Sequence, residues 1–300
     1  MKTPVGIVGY GNLGKAVAEK LKTSHDFQLV AIFSKRKLPN CVDYKDILNY
    51  KDKISILFLC GGSQNELEDQ AFSLIKHFNI IECYDNHQRL KSYITKLNKL
   101  AKQHKKIALC SFGWDPGLFS MMRGLFSAMG EKAYTFWGKG LSQGHTQAIK
   151  NVKNVIDAIQ FTVPNEELIK KIKQGTSLDC SEAFHKRMCF VTAEKEHYPQ
   201  IEEHITHMKD YFDTSSTVVS FVSQKELDTL KSFAHKGEVL TKNNKMNFSL
   251  NLPSNPDFTA SVLTTFAKNI ENLQKEKQFG AHTIFDIPMK NIVDDKFKYL

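Results

Sequence analysis

Short apolar stretches recur along the first part of the chain, each followed by a glycine-rich or polar break and then by a segment of helical period. Val5 to Val8, Gln28 to Phe33, Ile80 to Tyr84 and Ile107 to Cys110 read as strands. Ile54-Ser55-Ile56-Leu57-Phe58-Leu59-Cys60 is almost continuously apolar, as expected of a parallel strand covered on both faces. Helices are predicted over Lys15 to Leu21, Asp43 to Tyr50 and Gln88 to His104. A further helix runs to Phe78, opened by the capping box Ser63-x-x-Glu66. In the Gln88 to His104 helix, Ile94, Leu97, Leu100 and Ala101 form the inner stripe, and Lys91, Lys96, Lys99 and Lys102 the wet side. Regular alternation of strand and helix predicts an α/β domain with a doubly wound parallel sheet.

Past Gly117 the rhythm changes. A helix over Leu118 to Met129 leads into strands at Tyr134 to Gly138, Ile156 to Val163, Arg187 to Ala193, Thr217 to Val222 and Met246 to Leu250. Helices are predicted at Glu166 to Gln174 and Pro199 to Lys209. This suggests a second, α+β domain: one mixed open sheet packed on one side by helices. Asn255-Pro256-Asp257 then opens a long helix to Lys277, and His282 to Ile287 reads as a last strand. The expected boundaries are 1–116 for the first domain, with 257–300 returning to it, and 117–256 for the second.

The first strand runs directly into Gly9-Tyr10-Gly11-Asn12-Leu13-Gly14, a Gly-x-Gly-x-x-Gly turn between a strand and a helix. Gly9 suits the tight turn, Gly11 the approach of a pyrophosphate, and Gly14 close packing of helix on strand, which makes the fold Rossmann-type. An acidic residue about 20 positions on would hold the ribose 2′-hydroxyl of NAD. Ser34-Lys35-Arg36 stands there instead, with no carboxylate expected nearby. A hydroxyl and two cations suit a 2′-phosphate, so NADP(H) is favoured over NAD; the alternative is a solvated basic turn. Cys60-Gly61-Gly62-Ser63 forms a third strand mouth able to line the cofactor. Two further mouths, Tyr84-Asp85-Asn86-His87 and Ser111 to Gly117, each carry a carboxylate, Asp85 and Asp115. Either alone would be taken for a turn or a cap. Two at successive mouths point to function, since carboxylates near a hydride acceptor attract an ammonium group or polarise water. An amine or amino-acid substrate is therefore expected.

The 300 residues suffice for about two domains. The longest apolar run falls far short of the roughly 20 residues of a membrane span. The first apolar run enters the glycine turn directly, so no signal peptide is expected and the location is read as cytoplasmic. Six cysteines (41, 60, 83, 110, 180 and 189) form no Cys-x-x-Cys pair, and the 11 histidines show no ligand spacing, so no metal site is expected. Cys60, Cys83 and Cys110 fall at or near strand ends, where reduced, buried thiols are usual. The net charge of +9 permits nucleic-acid binding, but the lysines are spread over helical faces with no aromatic-basic motif. Attraction of an anionic cofactor and substrate accounts for the excess.

Taken in order, several segments resemble the meso-diaminopimelate dehydrogenase family. They are the glycine turn, Ile32 to Arg36, Leu57 to Cys60, Tyr84 to His87, Gly113-Trp114-Asp115-Pro116-Gly117, Thr135 to Gly138, Leu141-Ser142-Gln143-Gly144-His145, His185-Lys186-Arg187 and Asn255 to Ser261. The resemblance implies NADP-dependent, reversible oxidative deamination of the D-centre of meso-2,6-diaminopimelate, in bacterial lysine biosynthesis. It places Asp85, Trp114, Asp115 and Trp137 around the reacting amino group, with Gln143, Gly144 and His145 close by. It places Thr162, Arg187, His235 and Asn255 on the distal amino-acid head, and it implies a homodimer built on the second domain. Asp85, Asp115 and His145 are the residues expected to orient water. Read alone, Arg187 is a surface ion pair, Asn255 a helix start, Trp137 a core aromatic and Thr162 a strand residue. Lys35 stands where the family commonly has arginine. Two readings of other kinds stay open at this point: a different NADPH-dependent reductase of the lysine branch, and a non-catalytic NADPH-sensing or nucleic-acid-binding protein.

Overall fold

In a computed structural model, which describes residues 2–62, 66–178, 184–208, 216–232, 234–293 and 295–299, the chain divides into two compact units. One comprises 1–121 with 256–300, the other 122–255.

The first unit begins with β1 (Thr3–Val8), α1 (Asn12–Lys22), β2 (Phe27–Ser34), β3 (Val42–Asp43) and β4 (Ile56–Leu59). It continues with α2 (Leu67–Leu74), β5 (Asn79–Glu82), α3 (Leu90–Gln103), β6 (Ile107–Leu109) and the start of α4 (Leu118–Ala128). Together with a late strand, Gly280–His282, these form a seven-stranded sheet whose order is β3-β2-β1-β4-β5-β6 and then the late strand. Every pairing is parallel. The apolar run of β4 explains its central place: Ile56 and Phe58 enter the core on the α1 side, Leu57 and Leu59 the core on the α2 and α3 side. Tyr44–Tyr50 is a 3-10 helix capped by Asp43, whose side chain accepts the Lys45 N–H at 3.0 Å. The Ser63 cap expected for α2 lies outside the described residues; the helix starts at Leu67, after Glu66, with no side-chain cap there.

The second unit carries β7 (Ala133–Trp137), β8 (Gly140–Leu141), α5 (Gln143–Lys150), β9 (Asp157–Pro164), α6 (Glu166–Lys173), β10 (His185–Thr192), α7 (Tyr198–Thr206), β11 (Ser216–Phe221), α8 (Gln224–Leu230), β12 (His235–Thr241) and β13 (Asn247–Leu252). Its strands do not form one sheet, as the sequence suggested, but two: β11-β10-β9-β8 and the antiparallel β13-β12-β7. Each sheet has its own helical cover. Ile149 of α5 with Ile201 and Ile205 of α7 packs on Ala158, Cys189 and Val191, while Leu168, Ile169 and Ile172 of α6 pack on Tyr134, Phe136 and Leu240.

The chain's last part corrects two expectations. The helix opened by Asn255 breaks at Lys268 into α9 (Asn255–Ala267) and α10 (Asn269–Lys275). Asn269 is buried and its side-chain amide donates to the Phe266 carbonyl at 3.1 Å, a local bond that competes with the helix ladder. The last strand, β14 (Gly280–His282), is also earlier than expected. Thr283 and Asp286 cap each other, with Thr283 N–H to Asp286 Oδ2 at 2.7 Å, and turn Ile284–Asp286 into a 3-10 helix.

Candidate active site

In an open parallel sheet ligands collect beyond the carboxyl ends of the strands, where the strand order reverses. Here the reversal lies between β1 and β4. A cleft of about 270 Å³ opens there, lined by Val8 to Gly11, Phe33 to Arg36, Tyr44, Cys60 to Gly62, Glu66 and Gln70. Gly9 has φ +92°, and a Cβ on Gly14 would stand 2.0 Å from the Gly9 carbonyl oxygen, so neither position takes a side chain without strain. A Cβ on Gly11 would meet nothing within 4 Å, which leaves that approach open. Gly11 is also the N-cap of α1, with no side-chain cap and no acidic residue in the first turn, an arrangement suited to an anion. Asn12, Leu13 and Gly14 open α1 beside the cleft rather than lining it. Ser63 lies outside the described residues.

Ser34 Oγ accepts the Arg36 N–H at 3.0 Å, and the Arg36 guanidinium reaches the Tyr10 carbonyl at 3.4 Å. Lys35 sits 5.6 Å from the centre of the Tyr44 ring and pairs with Glu66 at 3.0 Å. The expectation that no carboxylate stands by this turn is thereby corrected: Glu66, 31 residues further on, is brought to it by the fold. The pair is exposed and worth at most about 1 kcal/mol, so a phosphate can compete for Lys35. Tyr44, Glu66 and Gln70 were not found by sequence reasoning; Gln70 Oε1 is buried with no partner among the described residues. These donors and the open glycine fit a phosphorylated dinucleotide.

Asp85 and Asp115 leave neighbouring strands, β5 and β6, the first exposed and the second half-buried. The loop carrying Asp115 closes on itself, with the Gly113 N–H donating to the Pro116 carbonyl at 2.9 Å. Trp114 is braced edge-on against Phe119, ring centres 5.2 Å apart. Beneath both loops lies Glu82, fully buried at the end of β5. Burial pushes its carboxyl up to about 7, although hydrogen bonds from Tyr84, Tyr93 and Ser111 pull the other way. An acid inside the strand Asn79–Glu82, directly after Ile80 and Ile81, was the available signal for it.

In the second unit, Arg187 stands directly opposite Thr162 across β9 and β10. Its Nη1 donates to Thr162 Oγ1 at 2.6 Å, while Nε is buried with no partner among the described residues. The residue is 8% exposed, and burial lowers its pKa only to about 10, so it is a cation at neutral pH. No ion pair to it occurs among the described residues. His235 is buried against Gly140, and burial, with Arg187 nearby, holds its imidazole below the ordinary range. Thr162, Arg187 and His235 thus share one neighbourhood. Trp137 is held by His185: its backbone N–H donates to His185 Nε2 at 2.8 Å and the rings stack 4.8 Å apart. Burial keeps His185 neutral, with a pKa of about 3, which is what lets Nε2 accept. Gln143, Gly144 and His145 begin α5, where Ser142 caps the helix and meets His145 Nδ1 at 2.8 Å. Asn255 begins α9.

Chemically, two acidic loops are suited to an ammonium group, and a buried guanidinium without an acidic partner calls for a carboxylate. Among the described residues no three His, Cys, Asp or Glu side chains gather as metal ligands would. Residues 113–253, from the Gly113 loop to the last strand of the second unit, match the diaminopimelic acid dehydrogenase C-terminal domain. The meso-diaminopimelate D-dehydrogenase of Ureibacillus thermosphaericus is 39% identical, over 96% of this chain and 94% of its own. The chain belongs to the meso-diaminopimelate D-dehydrogenase family. Two solved structures agree along the whole length. The C. glutamicum DAP dehydrogenase in complex with DAP superposes with a TM-score of 0.92 at 32% identity, covering 100% of this chain and 98% of that one. An engineered D-amino acid dehydrogenase bound to NADP+ gives 0.91 at 32% identity, with the same coverage. These two solved structures carry, in their bound ligands, the amine and dinucleotide classes expected from the strand mouths here.

Proposed function

We propose that the protein catalyses the reversible, NADP+-dependent oxidative deamination of the D-centre of meso-2,6-diaminopimelate, giving L-2-amino-6-oxopimelate and ammonia, as a step of bacterial lysine biosynthesis. The observation that carries this reading is Arg187, a buried cation beside Thr162 with no ion pair among the described residues; the first unit separately offers two carboxylates at adjacent strand mouths. A dicarboxylate with two ammonium groups supplies what both need.

NADP+, when bound, supplies the hydride acceptor. Gly9 to Gly14 and the start of α1 would hold its diphosphate; Ser34, Lys35 and Arg36 would hold the 2′-phosphate; Cys60, Gly61 and Gly62 line the same cleft. Asp85 and Asp115 attract the D-ammonium group, with Trp114, Trp137, Gln143 and Gly144 shaping that end. Once the ammonium group has given up one proton to solvent and the Cα hydrogen has left with its electron pair, the carbon–nitrogen bond is an iminium. Asp85, Asp115 and His145 orient the water that adds to it, and ammonia departs. Arg187, Thr162, His235 and Asn255 hold the distal L-head, so that binding energy far from the reacting carbon serves orientation. The second unit also carries exposed Ile156 and Val218, in keeping with a homodimer, and the reading includes a cytoplasmic location.

The test is NADPH formation by the purified protein given meso-diaminopimelate and NADP+, repeated with Arg187→Ala. Turnover is expected, with KM for the diamino acid raised about tenfold or more in the variant, the cost of a lost charge-assisted carboxylate contact. Absence of NADPH formation by the unaltered protein sinks the reading; an unchanged KM removes Arg187 from it.

A further inference from the structure

We propose that Glu82 is a positioning residue for the acidic site, a single buried carboxylate that ties together the two strand mouths carrying Asp85 and Asp115. This rests on the functional reading above for those two aspartates.

The geometry assigns one oxygen to each mouth. Oε2 accepts the backbone N–H of Tyr84, the residue before Asp85. Oε1 accepts the backbone N–H of Ser111 at 3.2 Å, at the exit of β6, and the hydroxyl of Tyr93 at 3.1 Å. Ser111 has φ +61°, a left-handed turn that costs a serine energy, and it is this turn that sends the chain into the loop bearing Trp114 and Asp115. The Glu82 carbonyl adds a second tie to the same loop, accepting the Phe112 N–H at 2.9 Å. Tyr93 in turn stacks on Tyr84, ring centres 4.2 Å apart, so α3 braces the first mouth through the same network. Glu82 is 0% exposed, so it touches no solvent. A buried carboxylate is costly, and an apolar side chain would fill a strand end at less cost. What the carboxylate adds is two acceptors at a fixed separation, each holding one loop.

Glu82→Gln separates these roles, because an amide has one acceptor oxygen and one donor nitrogen. It can serve Ser111 or Tyr84, and the other backbone N–H then faces an N–H₂ group. Three quantities are read: amide hydrogen exchange over 83–87 and 111–117, kcat with meso-diaminopimelate, and the Kd for NADP+. The expected result is faster exchange in one or both segments, kcat lowered about tenfold or more, and NADP+ binding within twofold of the unaltered protein. Unchanged exchange in both segments overturns the proposal, as does a loss of NADP+ binding in step with kcat, which would mean that Glu82 supports the sheet as a whole. If Glu82→Gln does not fold, Tyr93→Phe takes its place, removing one donor from Oε1 while keeping the Glu82 side chain itself. Faster exchange over 111–117 with kcat down about threefold supports the proposal, and wild-type behaviour overturns it. An unaltered protein inactive on meso-diaminopimelate would fail the functional reading alone, since exchange in the two segments still decides the role of Glu82.

Discussion

His185 is buried with its Nε2 accepting from Trp137, and its folded pKa of about 3 lies well below the ordinary 6.5. The unfolded chain therefore takes up this proton first as pH falls. The stability that His185 contributes is present above about 6.5 and is lost as pH drops toward 3, on the order of 5 kcal/mol in all. Glu82 has the opposite sign. Its folded pKa of about 7 exceeds the ordinary 4.5, so its contribution is present below 4.5 and is lost as pH rises through 7. The two offset each other between 4.5 and 6.5, and below 4.5 the histidine acts alone. His185→Gln, which keeps an acceptor near the Trp137 N–H and cannot be protonated, should flatten the fall in stability below pH 4.5 and leave stability rising as pH falls from 6.5 to 4.5. Urea midpoints followed by tryptophan fluorescence at several pH values measure this; an identical slope in the variant would show that another group titrates there.

At the scale of elements, the loop bearing Asp115 depends on a backbone shape that only glycine holds easily. Gly117 has φ +133°, and a Cβ there would stand 1.9 Å from the Gly113 carbonyl oxygen. Gly117→Ala must open the turn, at a cost of about 1–3 kcal/mol. We expect kcat for meso-diaminopimelate to fall about tenfold or more while KM for NADP+ barely moves, because the β1–β4 cleft contains neither glycine. Wild-type kcat in this variant would show that the loop's shape does not matter to the reaction. Which elements could be read in advance follows from where their partners lie. β4 and α3 announce themselves because their own apolar pattern matches their burial. β12 does not: His235-Lys236-Gly237-Glu238 carries no apolar pattern of its own, and becomes a strand by pairing with β7, about 100 residues earlier in the chain, on one side and with the following β13 on the other. α5 was hidden in the same way, with glycine and polar residues in its first turn and only Ser142 to cap it.

Across the whole molecule, contacts within one strand mouth were legible and contacts between distant ones were not. The glycine turn with Ser34 to Arg36 could be placed from spacing alone, whereas Glu66 joined Lys35 only through folding, and Glu82 could be seen as an acid but not as the tie between two loops. The Lys35–Glu66 pair bears on how the cofactor acts on the protein as a whole. A ligand that binds only the folded state stabilises it by about 2.7 kcal/mol when present at a hundred times its Kd. For a unit of 150–250 residues each kcal/mol raises the melting temperature by about 2–4 °C, so saturating NADP+ should raise the melting of the first unit by about 5–10 °C. NAD+ at the same concentration should do much less. It lacks the phosphate that Lys35 and Arg36 are placed to meet, and so leaves Lys35 with Glu66. Arg36→Ala should bring the two cofactors closer together by weakening only NADP+. Calorimetry of both proteins with each dinucleotide measures this, and equal shifts for NADP+ and NAD+ in the unaltered protein would mean that the basic turn does not read the phosphate.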